Sequence, residues 1–295
     1  MAPRGARVWL LAARPATLPA AVVPVLVGTA SALHGFGQLR TGPFLAALFA
    51  ALLIQIGTNL ANDVLDYYRG ADTPDRLGPL RVTQSGLAAP GEVLRATYLV
   101  FGAAVLVGIY LVAVGGWPIL LIGVLSIVAG LAYTGGPWPY GYHALGDLLC
   151  FVFFGLLGVL GSAYLQTLTV TPLDLWAAIP TGCLVTAILV VNNLRDINTD
   201  RQVAKRTLAV VLGRAGTRRE YMLLLLIPYV LPLRLWMLDL VGPWFWLPWL
   251  SAPLAFWLVR YVNSTEGRAL NLALKRTGQL HLLYGVLFAI SLWLG

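Results

Sequence analysis

Apolar residues in this chain come in long blocks separated by short polar stretches, with little strand-like alternation. A helix that crosses a hydrocarbon layer needs about 20 apolar residues. Nine stretches approach that length: 17–33, 43–67, 95–114, 118–133, 145–168, 173–191, 221–238, 244–259 and 279–294. The pattern predicts an all-α multi-pass membrane protein of about nine transmembrane helices, folded as a single domain over 1–295. The fourth stretch is short, and the seventh and eighth are crowded with Pro and Trp. The basic-then-apolar start has the look of a signal peptide, but Arg14-Pro15 interrupts it and the apolar run continues too far. An interfacial segment followed by the first span is expected there.

Composition agrees with this reading. Hydrophobic residues make up 59% of the chain and charged residues only 11%, which excludes an ordinary soluble domain. The net charge of +8 is explained by topology. With the N-terminus in the cytoplasm, eighteen of the 20 Lys and Arg residues fall on the cytoplasmic side, and only Arg40 and Arg234 fall opposite. That asymmetry predicts an odd number of spans, with the C-terminus outside. The working face then lies on the cytoplasmic side of the cell's inner membrane. Because the charge is spread over membrane-flanking loops, nucleic acid is not an expected partner, and no required protein partner is evident. Cys150 and Cys183 sit in apolar stretches and read as small core residues. His34, His143 and His281 are scattered singly, which argues against zinc.

Two polar patterns break the apolar blocks. Asn59-x-x-Asn62-x-x-x-Asp66 and Asn193-x-x-Asp196-x-x-x-Asp200 share one spacing, each at the end of an apolar stretch. Offsets of three and four return to the same helix face, so each pattern can aim amides and carboxylates one way. Carboxylates near membrane depth are costly and usually functional. Asp63 sits inside the first pattern, and Asp72 and Asp75 follow it. Basic residues lie just beyond both: Arg69 and Arg81 after the first, Arg195, Arg201, Lys205 and Arg206 around the second. Arg grips phosphate bidentately and Lys acts as a point charge. Magnesium takes oxygen ligands and often shares its shell with substrate phosphates. Two carboxylate faces with basic loops therefore suit a metal-bound diphosphate held at the membrane surface. Walker-type loops, HExxH and GxSxG are absent, which lowers the case for ATP-driven transport and serine hydrolysis.

The same residues resemble the UbiA-type intramembrane prenyltransferases, which have nine helices and two Asp-rich motifs. Asn62-Asp63-Val64-Leu65-Asp66 opens the first motif and Asp196-Ile197-Asn198-Thr199-Asp200 gives the second. The last acid of the first motif would fall at Gly70, so Asp72 is the nearest substitute. Arg14-Pro15-Ala16-Thr17, Gly78-Pro79, Gln84-Ser85-Gly86, Tyr133-Thr134-Gly135-Gly136-Pro137, Asn192-Asn193-Leu194-Arg195-Asp196, Lys205-Arg206-Thr207 and Leu270-Asn271 look like the branch that prenylates 1,4-dihydroxy-2-naphthoate in menaquinone synthesis.

That resemblance implies a polyprenyl diphosphate and 1,4-dihydroxy-2-naphthoate as partners, the bilayer as host for the tail, and two Mg2+ ions as cofactors. Metal ligands are expected at Asn62, Asp66, Asp72, Asp196 and Asp200, and catalytic roles at Asp63, Asp66, Asp196, Asp200 and Tyr133. Substrate contacts are expected at Arg14, Asn59, Tyr67, Arg69, Arg81, Gln84, Tyr140, Asn193, Arg195, Lys205 and Arg206. Tyr67, Tyr133 and Tyr140 are candidates for stabilising an allylic cation through their rings. Asp63 would orient a ligand or accept a phenolic proton, and the sequence leaves open whether Asp63 or Asp72 touches metal. Other aromatic acceptors within the family are alternatives. An ion-coupled transporter is the reading from a different class. A phosphatidyl-alcohol transferase is disfavoured because its Asp-Gly-x-x-Ala-Arg signature is missing.

Overall fold

Proline in the first turn opens most of the long helices, where its missing N–H costs no hydrogen bond. This holds for α2 (Pro19–Phe36), α4 (Pro90–Gly115), α5 (Trp117–Ala132) and α8 (Pro172–Gln202). The computed structural model describes residues 5–71 and 77–295. The remaining helices are α1 (Ala6–Ala13), α3 (Thr41–Tyr68), α6 (Gly146–Cys150), α7 (Gly158–Thr167), α9 (Leu208–Met237), α10 (Ala252–Ser264) and α11 (Leu270–Leu294). Between α6 and α7 the chain winds as a π-helix over Phe151–Leu157. Among the described residues, strand-type pairing is confined to one isolated bridge between His143 and Arg206.

All nine predicted stretches are helical over most of their length. Among the described residues, length and hydropathy alone qualify six helices to cross a membrane, or seven when the bent pair Ala6–Thr17 and Pro19–His34 counts as one span. The other two fall short for physical reasons. Helix α5 has 16 residues, about 24 Å at 1.5 Å per residue, against a hydrocarbon core of about 30 Å. The eighth stretch is a 3-10 segment, Pro243–Ser251, joined to the 13-residue α10, because its prolines interrupt regular hydrogen bonding. The opening segment bends by 49° between Ala6–Thr17 and Pro19–His34, with Arg14 in the left-handed region. Helix α1 leaves Trp9, Leu10 and Leu11 exposed and buries Val8 and Ala12, as an interfacial helix would.

Helix α8 is the axis of the fold. Its apolar window is 78% buried, while that of α4 is only 22% buried and shows Leu99 and Leu106 to the surroundings. A capping box starts α8: Thr171 Oγ1 accepts from the Asp174 N–H, and the Asp174 carboxylate accepts from the Thr171 N–H. Ser31 Oγ then donates to Asp174 at 2.6 Å, tying α2 to α8. Lipid tails are as apolar as the helices they surround, so close packing rather than hydrophobic expulsion holds such bundles together. Small residues make the closest crossings. A Cβ at Gly155 would lie 2.6 Å from the Cα of Gly182, and one at Gly285 would lie 2.3 Å from Val23.

Candidate active site

Helices α2, α3, α4, α5, α7 and α8, with α6 and the π segment, enclose a cavity of about 600 Å³. Its lining on α3 runs from Ala47 to Asp66, about 28 Å along the helix. The cavity therefore reaches through most of a hydrocarbon layer. Its two ends differ in character. Around Val25, Leu111, Ile119 and Leu165 the wall is aliphatic, while the other end carries Asn62, Asp66, Arg81, Asp196, Asp200 and Lys205.

The two acidic patterns meet at this polar end, and each carboxylate cluster is matched by a buried arginine. Arg81 Nη2 donates to Asp66 Oδ2 at 2.9 Å. Arg195 holds Asp196 bidentately, with Nε donating to Oδ1 at 2.8 Å and Nη2 to Oδ2 at 2.5 Å. Asp200 Oδ1 lies 3.8 Å from Lys205 Nζ. Burying charge is costly unless it is paired, and here each carboxylate is paired with a cation from nearby in sequence.

Tyr142 bridges the two clusters. Its hydroxyl donates to Asp66 Oδ1 at 3.0 Å. Its ring lies under two cations, Lys205 Nζ at 5.3 Å and Arg69 Cζ at 5.8 Å from the centroid. Burial and the adjacent Asp66 charge push this hydroxyl well above the usual phenol range, so it remains a donor. Asn62 Oδ1 accepts from Thr134 at 3.1 Å, and Asn59 Nδ2 donates to Ala13 O and Thr17 Oγ1, both at 2.9 Å. Tyr133 and Tyr140 pack edge to face at 5.4 Å on the cavity wall.

The structure brings ten of the expected residues to the cavity: Arg14, Asn59, Asn62, Asp66, Arg81, Tyr133, Tyr140, Asp196, Asp200 and Lys205. Others lie elsewhere. Asp63 does not line the cavity; it is 1% exposed and accepts from the N–H groups of Val82 at 3.2 Å and Thr83 at 3.0 Å. Tyr67 is exposed on the outer surface against Tyr68, so its ring is not on the cavity wall. Arg69 sits outside the cavity, donating to Gly136 O beside Tyr142. Gln84 and Arg206 are not on the wall either, although the Arg206 N–H donates to Tyr142 O at 3.2 Å. Asn193 is buried against Asp147 at 3.5 Å, and Arg195 spends its donors on protein groups. Asp72 lies outside the described residues.

Several cavity residues escaped the sequence reading. Gln55 precedes Asn59 by four, and Asn192 precedes Asp196 by four, so same-face spacing was a signal for both. Thr199 follows Asp196 by three. Tyr142, off the cavity wall but bonded to Asp66, lies in the Gly- and Pro-rich stretch 133–142, whose aromatics suit either a pocket mouth or the membrane interface.

The donor set consists of carboxylate and amide oxygens, which suits a hard divalent cation such as Mg2+. Among the described residues, no three His, Cys, Asp or Glu side chains are close enough to form a metal site unaided. An ion here would thus be completed by substrate phosphate oxygens and water, as is usual for Mg2+.

The UbiA prenyltransferase family model matches residues 21–283. The chain is 42% identical to the 1,4-dihydroxy-2-naphthoate octaprenyltransferase of Escherichia coli (strain K12), over 97% of this chain and 95% of that protein. It is 41% identical to the protein of the same name from Mycobacterium tuberculosis, over 97% of each. A solved UbiA homologue from Archaeoglobus fulgidus, bound to GPP and Mg2+, superposes with a TM-score of 0.65 over 98% of this chain and 100% of that one. Its identity is 15%, so that likeness concerns the fold. Helical architecture, paired acidic motifs and near-full-length similarity agree, and the chain belongs to the UbiA prenyltransferase family.

Proposed function

We propose that this chain transfers a polyprenyl group from a polyprenyl diphosphate to 1,4-dihydroxy-2-naphthoate, releasing diphosphate and carbon dioxide and giving demethylmenaquinol for menaquinone synthesis. The observation that carries this reading is the meeting of Asp66, Asp196 and Asp200 with Arg81 and Lys205 at one end of a long apolar cavity. The full-length likeness to two naphthoate octaprenyltransferases supports the choice of acceptor.

In this reading the diphosphate enters at the polar end, which faces the cytoplasm across the inner membrane. Asn62, Asp66, Asp196 and Asp200 would hold two Mg2+ ions, which when bound neutralise the diphosphate and stabilise it as a leaving group. Arg81 and Lys205 face the phosphate oxygens and compensate the charge that grows on them as the allylic C–O bond breaks. Tyr133 and Tyr140, packed edge to face on the cavity wall, supply aromatic rings suited to an allylic cation. The aliphatic walls exclude water from that cation and take the tail, at about 0.8 kcal/mol for each CH2 removed from water. The electron-rich naphthoate ring attacks, and its carboxylate leaves as carbon dioxide.

An acceptor screen tests the reading. Membranes carrying the chain, given a polyprenyl diphosphate, should prenylate the dihydroxynaphthoate and leave 4-hydroxybenzoate unchanged. Turnover of hydroxybenzoate alone would move the protein to another branch of the family.

A further inference from the structure

Arg195 was expected to touch substrate, yet its side chain is fully buried and turned away from the cavity. Besides its two bonds to Asp196, Nη2 donates to Asn192 Oδ1 at 2.9 Å and Nη1 donates to Asn271 Oδ1 at 2.8 Å. Asn271 stands in the first turn of α11 and donates through Nδ2 to the carbonyl of Leu77 at 2.9 Å. The orientation of its amide is forced. Arg only donates and a carbonyl only accepts, so Oδ1 must face Arg195 and Nδ2 must face Leu77.

The next residue presses on the same node. A Cβ at Gly78 would lie 2.6 Å from Arg195 Nη2. A guanidinium tip can usually swing aside, but this one is held by four hydrogen bonds and has no solvent to enter. Three residues further on, Arg81 reaches Asp66, and the N–H groups of Val82 and Thr83 bind Asp63. Residues 77–81 therefore form a short strap from the second acidic cluster to the first. Four residue steps span at most about 14 Å, so the strap limits how far apart the two clusters can drift.

We infer that Asn271 is a positioning residue: through Arg195 and the Leu77 carbonyl it anchors the strap that fixes the separation of Asp66 and Asp196, and with it the grip on the diphosphate. The inference rests on the proposed reading of the site as a diphosphate cage. Asn271 does not line the cavity and touches no reacting atom. Its effect is on spacing alone. Gly78 serves the same spacing from the other side of Arg195, by leaving room for the guanidinium.

The test is a mutant cycle on the full chain in lipid nanodiscs, with Asn271→Ala, Gly78→Ala and the double variant. Calorimetry reads the affinity for inorganic pyrophosphate with Mg2+, and kinetics read KM for each substrate. Each single variant should weaken pyrophosphate binding and raise KM for the prenyl diphosphate about tenfold, the scale of the charge-assisted bond that Asn271→Ala removes. KM for the aromatic acceptor should stay within about twofold. The double variant should be little worse than either single one, because both loosen one strap. A merely structural role would lower thermal stability yet leave pyrophosphate affinity of the folded protein unchanged, which overturns the inference. So would additive effects, or equal shifts in both KM values. If the unaltered chain itself binds no pyrophosphate, the cage reading fails and the inference with it.

Discussion

Tyr142 and Asp66 are joined by a hydrogen bond of 3.0 Å, with the phenol as donor, across 76 residues of sequence. The bond connects a loop between α5 and α6 to the first acidic helix, while Lys205 on the Tyr142 ring brings in the second cluster. Removing the hydroxyl alone isolates its contribution. Tyr142→Phe keeps the ring beneath Lys205 and Arg69 but takes one donor from a buried carboxylate. Hydrogen bonds to charged groups contribute about 1.5–3 kcal/mol, so kcat/KM should fall at least about tenfold with the fold intact. Unchanged kinetics would remove Tyr142 from the machinery.

Asp66 and Arg81 allow stability and activity to be separated. Asp66→Asn removes the carboxylate to which Arg81 Nη2 donates, and losing one partner of a buried pair costs about 3–5 kcal/mol. Pairing that change with Arg81→Met should recover much of the melting temperature and none of the turnover. Recovery of turnover in the double variant would show that neither charge acts on substrate.

Asp63 and Asp66 should behave differently despite their shared motif. Asp63→Asn keeps an acceptor for one of the two N–H groups it now serves and loses no cavity charge. It should retain at least about a tenth of wild-type turnover, with a stability cost of about 1–3 kcal/mol for the N–H left unpaired. Asp66→Asn should be inactive. Equal inactivity of the two variants would place Asp63 in the chemistry after all.

Gly108 on α4 and Gly123 on α5 line the cavity at the end away from Asp66, and a Cβ at either would meet nothing within 4 Å. A side chain there has room to fill the tail's path without straining the bundle. Gly108→Phe or Gly123→Leu should preserve turnover of geranyl diphosphate and depress that of octaprenyl diphosphate. Product analysis with both donors reads the ratio, and an unchanged ratio would show that the tail leaves the bundle before reaching these positions.

The hydropathy blocks located every long helix, because a bilayer imposes one length and one polarity on all of them. The acidic faces were legible for a similar reason: offsets of three and four are a property of the helix itself. The same rule was too coarse at single-residue resolution. Successive helix positions point about 100° apart, so Asn62 faces the cavity while the adjacent Asp63 turns to the loop backbone. The matched spacing also misled at Asn193, since Asn192, four before Asp196, takes the cavity wall. Tyr67 shares a sequence neighbourhood with Asp66 but points outward, whereas Tyr133 and Tyr140 come to the wall through a turn rich in Gly and Pro. Tyr142, Arg195 and Asn271 act through contacts between distant segments, and no local pattern encodes those.

The central claim is that both acidic clusters together hold a metal-bound diphosphate for transfer to the naphthoate. The purified chain in lipid, given a polyprenyl diphosphate, 1,4-dihydroxy-2-naphthoate and Mg2+, is assayed for prenylated, decarboxylated product by mass spectrometry, with and without EDTA. The account predicts product with Mg2+, none with EDTA, and none from either Asp66→Asn or Asp200→Asn. Undiminished product in the presence of EDTA, or from either variant, would contradict it.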